Sequence, residues 1–283
     1  MYDIAILGGG PAGLSAAMTA RARGKSTAVI SNDPAQSPLW KADKVDNYPG
    51  VPNASGKDLL ELMTKQAKEV GAELIQGRVT SMMDTGDGFM LNAGTEIYEA
   101  SAVIIATGVV GAKPLPGETE YLGKGVSYCA TCDGMLYKSK KAAVVGRSAD
   151  APEEANALKE MGVDVLYTGI SKKRPQSLSE EIPYISAKKI EVVGDSTVTA
   201  ISLDGEPHET SGVFILRETV APTALFPDIA MKGGYIKVDK AMKTSAKGVY
   251  AAGDCIGKPL QIAKAVGEGL IAALSAVDYL SKK

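Results

Sequence analysis

The sequence is poor in cysteine, histidine and aromatic residues, and it lacks a charge excess of either sign. Three cysteines in 283 residues are too few for a scaffold held together by disulfides. No apolar run approaches the roughly 18 residues that a membrane-spanning helix needs, so we expect no membrane partner. The 31 basic and 33 acidic residues give a net charge of −2. Without a basic excess we expect no nucleic-acid partner.

Glycine is in clear excess, with 31 occurrences. Such an excess indicates many tight backbone turns, as around nucleotides. The length exceeds one core of roughly 150 residues and predicts two domains. The chain passes from Met1 into a predicted strand without a basic and apolar leader, so we expect a cytoplasmic protein.

The first thirty residues predict a β-α-β unit around a glycine-rich turn. The letters YDIAIL are typical of a buried strand, GGGPAG follows, and a helical stretch then leads to the strand STAVIS. Gly8, Gly10 and Gly13 match G-x-G-x-x-G. In that pattern the first glycine permits the turn, the second lets a pyrophosphate approach, and the third lets helix and strand pack closely. The match predicts dinucleotide binding at the helix N-terminus. The alternative is an ordinary glycine-rich turn.

One feature of the dinucleotide pattern is missing. An acidic residue for the ribose is expected near the end of the second strand. Ser31 and Asn32 lie there instead, and either side chain can hydrogen-bond a ribose hydroxyl.

Further along the chain the pattern of strand, helix and strand is repeated once. Predicted linkers lie near residues 111–117, which contain two prolines and two glycines, and near residues 220–227, which contain two prolines. They separate the first domain from an insert. The predicted elements are helix 58–70, short strands within 73–98, strand 102–106, strand 140–146, helix 152–161, strand 163–167, strands within 190–216, strand 248–254 and helix 261–280.

The segment CATCDG places Cys129 and Cys132 in a C-x-x-C pair. Two thiols at this spacing at a helix start can close a small redox disulfide, because the helix dipole favours a thiolate. Zinc is the alternative, but it would need two more ligands, and only the distant Cys255 and His208 remain. Asp133 is the nearest group that could exchange a proton with a leaving thiolate. Its alternative role is that of a plain helix cap.

A third motif, GVYAAGDC, ends a predicted strand with Gly253 and Asp254. A carboxylate at that place can bind a hydroxyl of a flavin ribityl chain, although Gly-Asp is also a common turn. We expect Cys255 to be a small buried residue. We expect His208, in the polar turn GEPHET, to be solvated.

The order and spacing of GGGPAG, DNYPG, ATG, CATCDG and GVYAAGD resemble the low-molecular-weight flavin thioredoxin reductases over essentially the whole chain. The resemblance implies an α/β protein of two Rossmann-like, three-layer, nucleotide-binding-type domains, the second inserted in the first. Residues 1–111 and 222–283 would form the FAD-binding domain and residues 112–221 the insert with the redox disulfide.

The resemblance also implies roles for individual residues. Cys132 would face the flavin, Cys129 would attack the disulfide of thioredoxin, Asp133 would shuttle the proton, and the protein would be a homodimer. The implied FAD contacts are Gly8, Gly10, Pro11, Ala12, Gly13, Ser31, Asn32, Leu39, Asn47, Val79, Ala106, Thr107, Gly108, Gly253, Asp254, Gln261, Ile262 and Ala263.

The insert departs from the family's pattern where NADPH should bind. A second glycine fingerprint of the form GGGDSAxEEA is expected, but the segment is GRSADAPEEA, with Arg147 and Ser148 at glycine positions. Side chains there obstruct the close approach of a pyrophosphate. The His-Arg-Arg that grips the 2′-phosphate is replaced by Gly169, Ile170 and Ser171.

We therefore expect the flavin to be reduced by something other than a nicotinamide, as in the ferredoxin-dependent flavin thioredoxin reductases. The alternatives are an NADPH-dependent thioredoxin reductase with a degenerate fingerprint and a non-enzymatic, redox-sensing flavoprotein. Ferredoxins are typically acidic, so basic side chains of the insert are candidate contacts. They are Lys138, Lys140, Lys141, Lys172, Lys173 and Arg174.

Overall fold

The computed structural model describes residues 1–108, 114–217 and 222–283, without the side chains of Thr131, Cys132 and Ala224. The chain divides into two compact units. The first comprises Met1–Val110 and Thr219–Lys283, and the second comprises Gly111–Glu218. The expected domain boundaries at residues 111, 112 and 221 lie outside the described residues.

Seventeen strands are present in the described part of the chain. They are β1 (Tyr2–Leu7), β2 (Thr27–Ser31), β3 (Glu73–Gln76), β4 (Ser81–Asp84), β5 (Phe89–Ala93), β6 (Glu96–Ile105), β7 (Val126–Ser127), β8 (Lys141–Arg147), β9 (Asp164–Gly169), β10 (Tyr184–Ser186), β11 (Ile190–Gly194), β12 (Val198–Leu203), β13 (Glu206–Glu209), β14 (Gly212–Arg217), β15 (Met231–Lys232), β16 (Tyr235–Ile236) and β17 (Val249–Ala251).

The same residues contain helices of very different lengths. They are α1 (Pro11–Ala22), α2 (Gly56–Glu69), α3 (Ala130–Asp133), α4 (Ala151–Glu160), α5 (Pro222–Leu225) and α6 (Ile262–Ser281), with short 3₁₀ turns at Pro34–Gln36, Gly134–Tyr137 and Gly253–Ile256.

The first unit is built on a parallel sheet in the order β3-β2-β1-β6-β17. The amino-terminal half of β6 continues into an antiparallel meander with β5 and β4. Residues Ile4–Leu7 of β1 are almost completely buried, as expected of a central strand in a parallel sheet. Because these strands are parallel, their carboxyl ends all meet at one edge.

Different elements cover the two faces of this sheet. Helices α1, α2 and α6 pack on one face, through side chains such as Leu14, Leu59 and Ala272. The other face carries the meander and the β15-β16 hairpin, with Phe89 and Ile236 in its core. The resulting three layers agree with the α/β class that the sequence predicts.

Helix α2 begins two residues before its predicted start because a capping box fixes its first turn. The Ser55 hydroxyl accepts a hydrogen bond from the Asp58 amide at 3.1 Å, and the Asp58 carboxylate accepts one from the Ser55 amide at 3.3 Å. Such a pair satisfies two of the four amides that a helix start leaves without partners.

The second unit repeats the architecture on a smaller scale. Its sheet, in the order β10-β9-β8-β14-β7, is parallel throughout. Helix α4 packs on one face around Phe214 and Leu158. The antiparallel meander β11-β12-β13 covers the other face around Ile201 and Ile215. This unit is therefore also a layered α/β fold with one central parallel sheet.

One local expectation is wrong. His208 lies in strand β13 and not in a turn, because Asp204 and Gly205 form the hairpin turn with positive φ angles of 51° and 98°. An Asp-Gly pair is a strong hairpin signal, and it shifts the strand start to Glu206. The second expected linker, residues 220–227, contains the short helix α5, and its residues 220 and 221 lie outside the described residues.

Candidate functional site

The carboxyl edge of the first sheet brings together four of the predicted segments. The Gly8 amide donates to the Ile30 carbonyl at 2.9 Å, and the Ala106 amide donates to the Leu7 carbonyl at 2.8 Å. A side chain on Gly8 would clash with the carbonyl oxygen of Ala106. The segments that contain Gly8, Ser31, Ala106 and Gly253 therefore end side by side, where open α/β sheets bind their ligands.

The turn from β1 into α1 needs its glycines for three different reasons. Gly8 has a φ of 112°, which L-residues rarely adopt. A side chain on Gly13 would clash with the Gly8 carbonyl, so this glycine lets the helix approach the strand. Gly10 has an ordinary φ of −83°, and a Cβ there would have nothing within 4 Å. The fold therefore requires Gly8 and Gly13, whereas Gly10 leaves open space.

The helix ends at this edge are not capped by side chains. Helix α1 begins with Gly10 as its N-cap and Pro11 as its first residue, and its first turn contains no acidic residue. Helix α6 begins at Ile262, after an N-cap, Gln261, that makes no capping hydrogen bond. Instead, the Gln261 side chain accepts a hydrogen bond from the Asn47 amide at 2.8 Å. Uncapped N-termini leave amides and positive dipole ends available to an anion.

Among the described residues of the first unit, three buried oxygen atoms have no hydrogen-bond partner: Thr107 Oγ1, Asp254 Oδ1 and Gln36 Oε1. Buried polar atoms are rarely left unpaired without a reason. Burial raises the pKa of Asp254, and the positive charge of Lys264 opposes that rise. These oxygens suit a ligand that donates hydrogen bonds, such as a polyhydroxyl chain.

Lys264 and Glu268 hold the turn that carries Asp254. The Lys264 ammonium donates to the carbonyls of Gly253 and Gly257 at 3.0 and 2.6 Å. Glu268 pairs with Lys264 at 3.1 Å and accepts from the Gly253 amide at 3.0 Å. Both side chains are 17% exposed. The Lys264–Glu268 pair thus fixes both ends of the turn, and no sequence motif signalled it.

Two predicted contacts lie in different surroundings. Leu39 is half-buried, and its carbonyl lies where a side chain on Gly56 would sit at the start of α2. Val79 is buried among the strands on the opposite face of the sheet. Asn32, Ile262 and Ala263 directly follow β2 or begin α6, at the edge described above.

The C-x-x-C segment lies in the second unit, on the single turn of helix α3 that follows strand β7. Cys129 is 7% exposed and disulfide-bonded. The Cys132 side chain lies outside the described residues. Cys255 is a free, buried thiol in the first unit, and burial raises its pKa to about 12. Cys255 is therefore suited to packing and not to thiol chemistry.

Ser127, which the sequence analysis did not single out, connects Cys129 to Asp133. Its hydroxyl accepts a hydrogen bond from the Cys129 amide at 3.1 Å. The same hydroxyl donates to the Asp133 carboxylate at 2.7 Å. Ser127 is 6% exposed, so this link is shielded from water. Asp133 is thereby held beside the disulfide and is more than a plain helix cap.

The surroundings of the disulfide combine an acidic and an apolar feature. Glu154 of α4 accepts a hydrogen bond from the Ala130 amide, at the start of α3, at 3.3 Å. Directly after the motif, Met135 and Leu136 are 59% and 68% exposed. Two adjacent exposed apolar side chains of this size are typical of a contact surface.

The carboxyl end of β8, where a second dinucleotide would lie, is filled with side chains. Arg147 and Ser148 replace the glycines that would open the turn, and both are half-buried. The buried Tyr167 ring packs so closely on Gly146 that a Cβ there would clash with its hydroxyl. The backbone therefore has no glycine cradle comparable to the one after β1.

A buried ion pair lies beside Arg147. Arg217 makes a two-pronged contact with Glu118, one bond being 2.6 Å long, and the two side chains are 10% and 1% exposed. Burial would raise the pKa of Glu118, but hydrogen bonds from Arg217 and the Leu115 amide hold it below its ordinary value. Burial, together with the charge of Arg217, lowers the pKa of Arg147. The carboxylate of Glu118 is thus the counter-charge for two guanidinium groups.

The basic run after β9 provides little for gripping a phosphate. Arg174 donates to the backbone carbonyls of Ile182, Leu178 and Ser179, and so stabilises its own loop. Lys172 and Lys173 are exposed. Arg174 is therefore poorly placed as a candidate contact for a phosphate or a partner.

Two negative findings apply to the described residues alone. They contain no cluster of three or more His, Cys, Asp or Glu side chains that could hold a metal ion. Within residues 1–108, 114–217 and 222–283, no helix has the length and apolar character to cross a membrane.

The fold and these two sites define a class of protein. Residues 2–269 match the family model described as pyridine nucleotide-disulphide oxidoreductase, so the chain belongs to that family. The thioredoxin reductase of Bacillus subtilis (strain 168) is 34% identical over 302 residues, with 100% of this chain and 96% of that protein covered. Within the family the chain is thus a member of the thioredoxin reductase group.

Solved structures include relatives that are more similar in sequence than the Bacillus subtilis protein. Two crystal structures of a ferredoxin-flavin thioredoxin reductase from Clostridium acetobutylicum are 43% and 40% identical to this chain. They cover 99% and 100% of it, and 98% and 99% of their own chains are matched. Both have a TM-score of 0.89. These relatives imply a flavoprotein oxidoreductase, which agrees with the resemblance drawn from the sequence.

Proposed function

We propose that this protein is an FAD-dependent thioredoxin reductase that takes electrons from reduced ferredoxin and passes them, through a Cys129–Cys132 disulfide, to thioredoxin. The observation that carries the proposal is the contrast between a retained disulfide segment and a filled nicotinamide crevice. We place the protein in the cytoplasm, where both electron carriers and a reducible disulfide can operate.

The residues at the first edge fit FAD. Gly8 to Gly13 and the uncapped start of α1 would hold the pyrophosphate, because they offer amides, a positive dipole end and the open space beside Gly10. Thr107 and Asp254 present unpaired buried oxygens to hydroxyl groups. Asn47 and Gln261, already bonded to each other, would face the flavin from the start of α6.

When bound, FAD can accept electrons one at a time and deliver two to a disulfide. The side chains of the second unit would do the rest. Cys129 would attack the disulfide of thioredoxin, Cys132 would then displace the mixed disulfide, and Asp133 would hold or release the proton. Ser127 fixes the position of the Asp133 carboxylate relative to Cys129. Exposed Met135 and Leu136 would contact the thioredoxin surface.

The overall reaction balances with two ferredoxins for each thioredoxin. Two reduced ferredoxins give one electron each, and two protons come from solvent. The thioredoxin disulfide takes up both electrons and both protons and becomes a dithiol. No hydride is transferred, so no nicotinamide has to be positioned.

A nicotinamide donor would need a pyrophosphate cradle and a group for the 2′-phosphate. Arg147, Ser148 and Tyr167 occupy the place of the cradle, and Arg174 is engaged with its own loop. A second candidate, an NADPH-dependent thioredoxin reductase, is favoured by the likeness to reductases such as that of Bacillus subtilis. The names of those relatives support thioredoxin as the electron acceptor, but they do not state the electron donor.

The experiment is an anaerobic assay of thioredoxin reduction with three donors: reduced ferredoxin, NADPH and NADH. We expect turnover with ferredoxin alone, and no turnover with any donor for Cys129→Ser. Turnover with NADPH at rates comparable to ferredoxin would favour the second candidate. Failure with every donor, while the flavin is reduced chemically, would favour a non-enzymatic redox sensor.

We also propose a homodimer. Helix α6 exposes Leu270, Ile271 and Leu274 at 44%, 37% and 36%, an apolar strip that a second copy of the chain would cover. A Leu270→Glu and Leu274→Glu double variant should sediment as a monomer. A wild-type protein that is already monomeric at micromolar concentration would contradict the dimer.

A further inference from the structure

A basic segment interrupts a chain that is otherwise slightly acidic. Residues 228–247 contain five lysines and two aspartates, although acidic residues outnumber basic ones in the whole sequence. We call the five lysines the basic hairpin patch; its members are Lys232, Lys237, Lys240, Lys243 and Lys247. The patch follows α5, spans the β15-β16 hairpin and leads into β17, so it belongs to the first unit.

All five lysines of the patch are exposed. None forms an ion pair with a carboxylate in the part of the chain that the structure describes. By contrast, other lysines of the first unit, such as Lys264 and Lys282, are paired. Asp239 is engaged by its own turn, where its carboxylate accepts from the amides of Ala241 and Lys243 at 2.8 and 2.9 Å. The positive charge of the patch is therefore free to act on a partner.

The segment has a defined fold on the surface of its unit. The Ala230 amide donates to the Ser245 hydroxyl at 2.8 Å, and Lys237 donates its amide to the Ala230 carbonyl at 2.9 Å. These bonds tie the hairpin to the following loop. The five charges thus lie on one short, ordered segment, and such a local excess of positive charge steers an oppositely charged protein.

The patch lies next to the turn that carries Asp254. The Tyr235 ring, on β16, is 3.7 Å from the position of a Cβ on Gly257. Gly257 closes the turn that Lys264 holds, and Asp254 lies within it. A protein that docks on the hairpin would thus dock beside a segment we assign to the flavin site, and electron transfer needs that proximity.

We infer that the basic hairpin patch is the docking surface for the acidic one-electron donor protein, a ferredoxin. This inference rests on the proposed function and adds to it the surface at which ferredoxin docks. It also moves the expected surface from the second unit to the first. Among the earlier candidates, Lys141 is paired with Glu209 at 3.3 Å and Arg174 is bonded to its own loop.

The test compares two triple variants by stopped-flow flavin reduction with reduced ferredoxin at several salt concentrations. The patch variant is Lys237→Gln, Lys240→Gln and Lys243→Gln. The control variant is Lys124→Gln, Lys188→Gln and Lys189→Gln, three exposed lysines of the second unit. Flavin content, melting temperature and reduction by dithionite are measured for both, to show that each variant is folded and loaded.

We expect the second-order rate constant of the patch variant to fall by roughly tenfold or more at low ionic strength, with a flatter salt dependence. The control variant should keep the wild-type rate and salt dependence. Equal rate constants for wild type and patch variant would contradict the proposed docking surface but not the ferredoxin reaction itself. A fall in the control variant equal to that in the patch variant would also contradict the docking surface. If ferredoxin does not reduce the wild-type flavin, the proposed function fails and this inference fails with it.

Discussion

The two units start from the same β-α-β plan and treat the end of their first strand in opposite ways. After β1 the chain makes a glycine turn whose Gly8 and Gly13 permit close packing and whose Gly10 leaves space. After β8 the corresponding positions carry Arg147 and Ser148, and Tyr167 closes over Gly146. Two units of the same topology therefore differ at the single residues on which a backbone cradle for a ligand depends.

Unpaired buried atoms alone would not reveal this difference. The second unit also buries polar atoms without partners, namely Arg147 Nε, Ser148 Oγ and Thr168 Oγ1. In the first unit, however, the unpaired oxygens of Thr107 and Asp254 lie next to the glycine turn and the uncapped start of α1. In the second unit the turn itself is filled. The two units therefore differ in their glycines. Unpaired buried atoms indicate a ligand only where the turn beside them leaves space for one.

The largest expected effect separates the chemistry of the two units. Cys129→Ser should abolish thioredoxin reduction but retain the flavin, because the change lies in the second unit. Cys132→Ser should trap a mixed disulfide with thioredoxin through Cys129, since the resolving thiol is missing. Cys255→Ser is the control and should leave activity nearly unchanged. A peptide map showing thioredoxin bound to Cys132 in Cys129→Ser as the productive adduct would reverse the two roles.

The glycine turn after β1 should respond to a single methyl group. Gly10→Ala meets nothing within 4 Å and has an ordinary φ, so the protein should fold. Its flavin content on purification should nevertheless fall at least about tenfold, because the added Cβ lies where a pyrophosphate approaches. Ser148→Ala, in the second unit, is the matched control and should keep full flavin content. An unchanged flavin content in Gly10→Ala would break the comparison.

The buried side chains around the turn after β8 should stabilise the folded protein, whereas the glycine turn after β1 should contribute to cofactor binding. Glu118→Gln removes the counter-charge of Arg217 and Arg147 and should destabilise the protein by about 3 kcal/mol at pH 7. The pKa of Glu118 is lowered in the fold, so its contribution is present above the ordinary value of 4.5 and is lost as the pH falls through the lower folded value.

The gap between wild type and Glu118→Gln should therefore narrow below about pH 4.5, as followed by urea unfolding across pH. The exposed Lys141–Glu209 pair provides the control. Glu209→Gln should change stability by less than about 1 kcal/mol. A Glu118→Gln variant as stable as the control at pH 7 would show that the ion pair is dispensable.

The smallest expected effect concerns the turn of Asp254. Burial raises the pKa of this carboxyl, so protonation should weaken flavin retention at milder acidity than for an ordinary aspartate. Lys264→Met removes the charge that opposes the rise, and the loss of flavin should move to higher pH. The release of flavin is measured by the fluorescence of free flavin after dilution of the protein at pH 5 to 8. Lys282→Met, which breaks an exposed pair on the same helix, should leave the pH dependence unchanged. A loss that is equal at all pH values would indicate loosening of the turn alone.

The sequence predicted the elements whose structure depends on residues close together in the chain. The β-α-β units, the glycine turn and the C-x-x-C helix depend on neighbours in sequence and were predicted, with the ends of α2, α4 and α6 off by one or two residues. Contacts between distant segments were not predictable. Glu118 and Arg217 are 99 residues apart, and nothing in either neighbourhood signals the other. Ser127 lies at the end of β7, two residues before Cys129. A hydroxyl so close to the motif, able to bond nearby backbone groups, is the one sequence signal for its role.

We propose that the second unit has lost its nicotinamide site while the first has kept its flavin site. Anaerobic titration of the purified protein, with absorbance followed at the flavin band, tests it most directly. NADPH and NADH should leave the flavin oxidised, and reduced ferredoxin should bleach it. Rapid bleaching by micromolar NADPH would contradict the account, because it would require a working dinucleotide site beside Arg147, Ser148 and Tyr167.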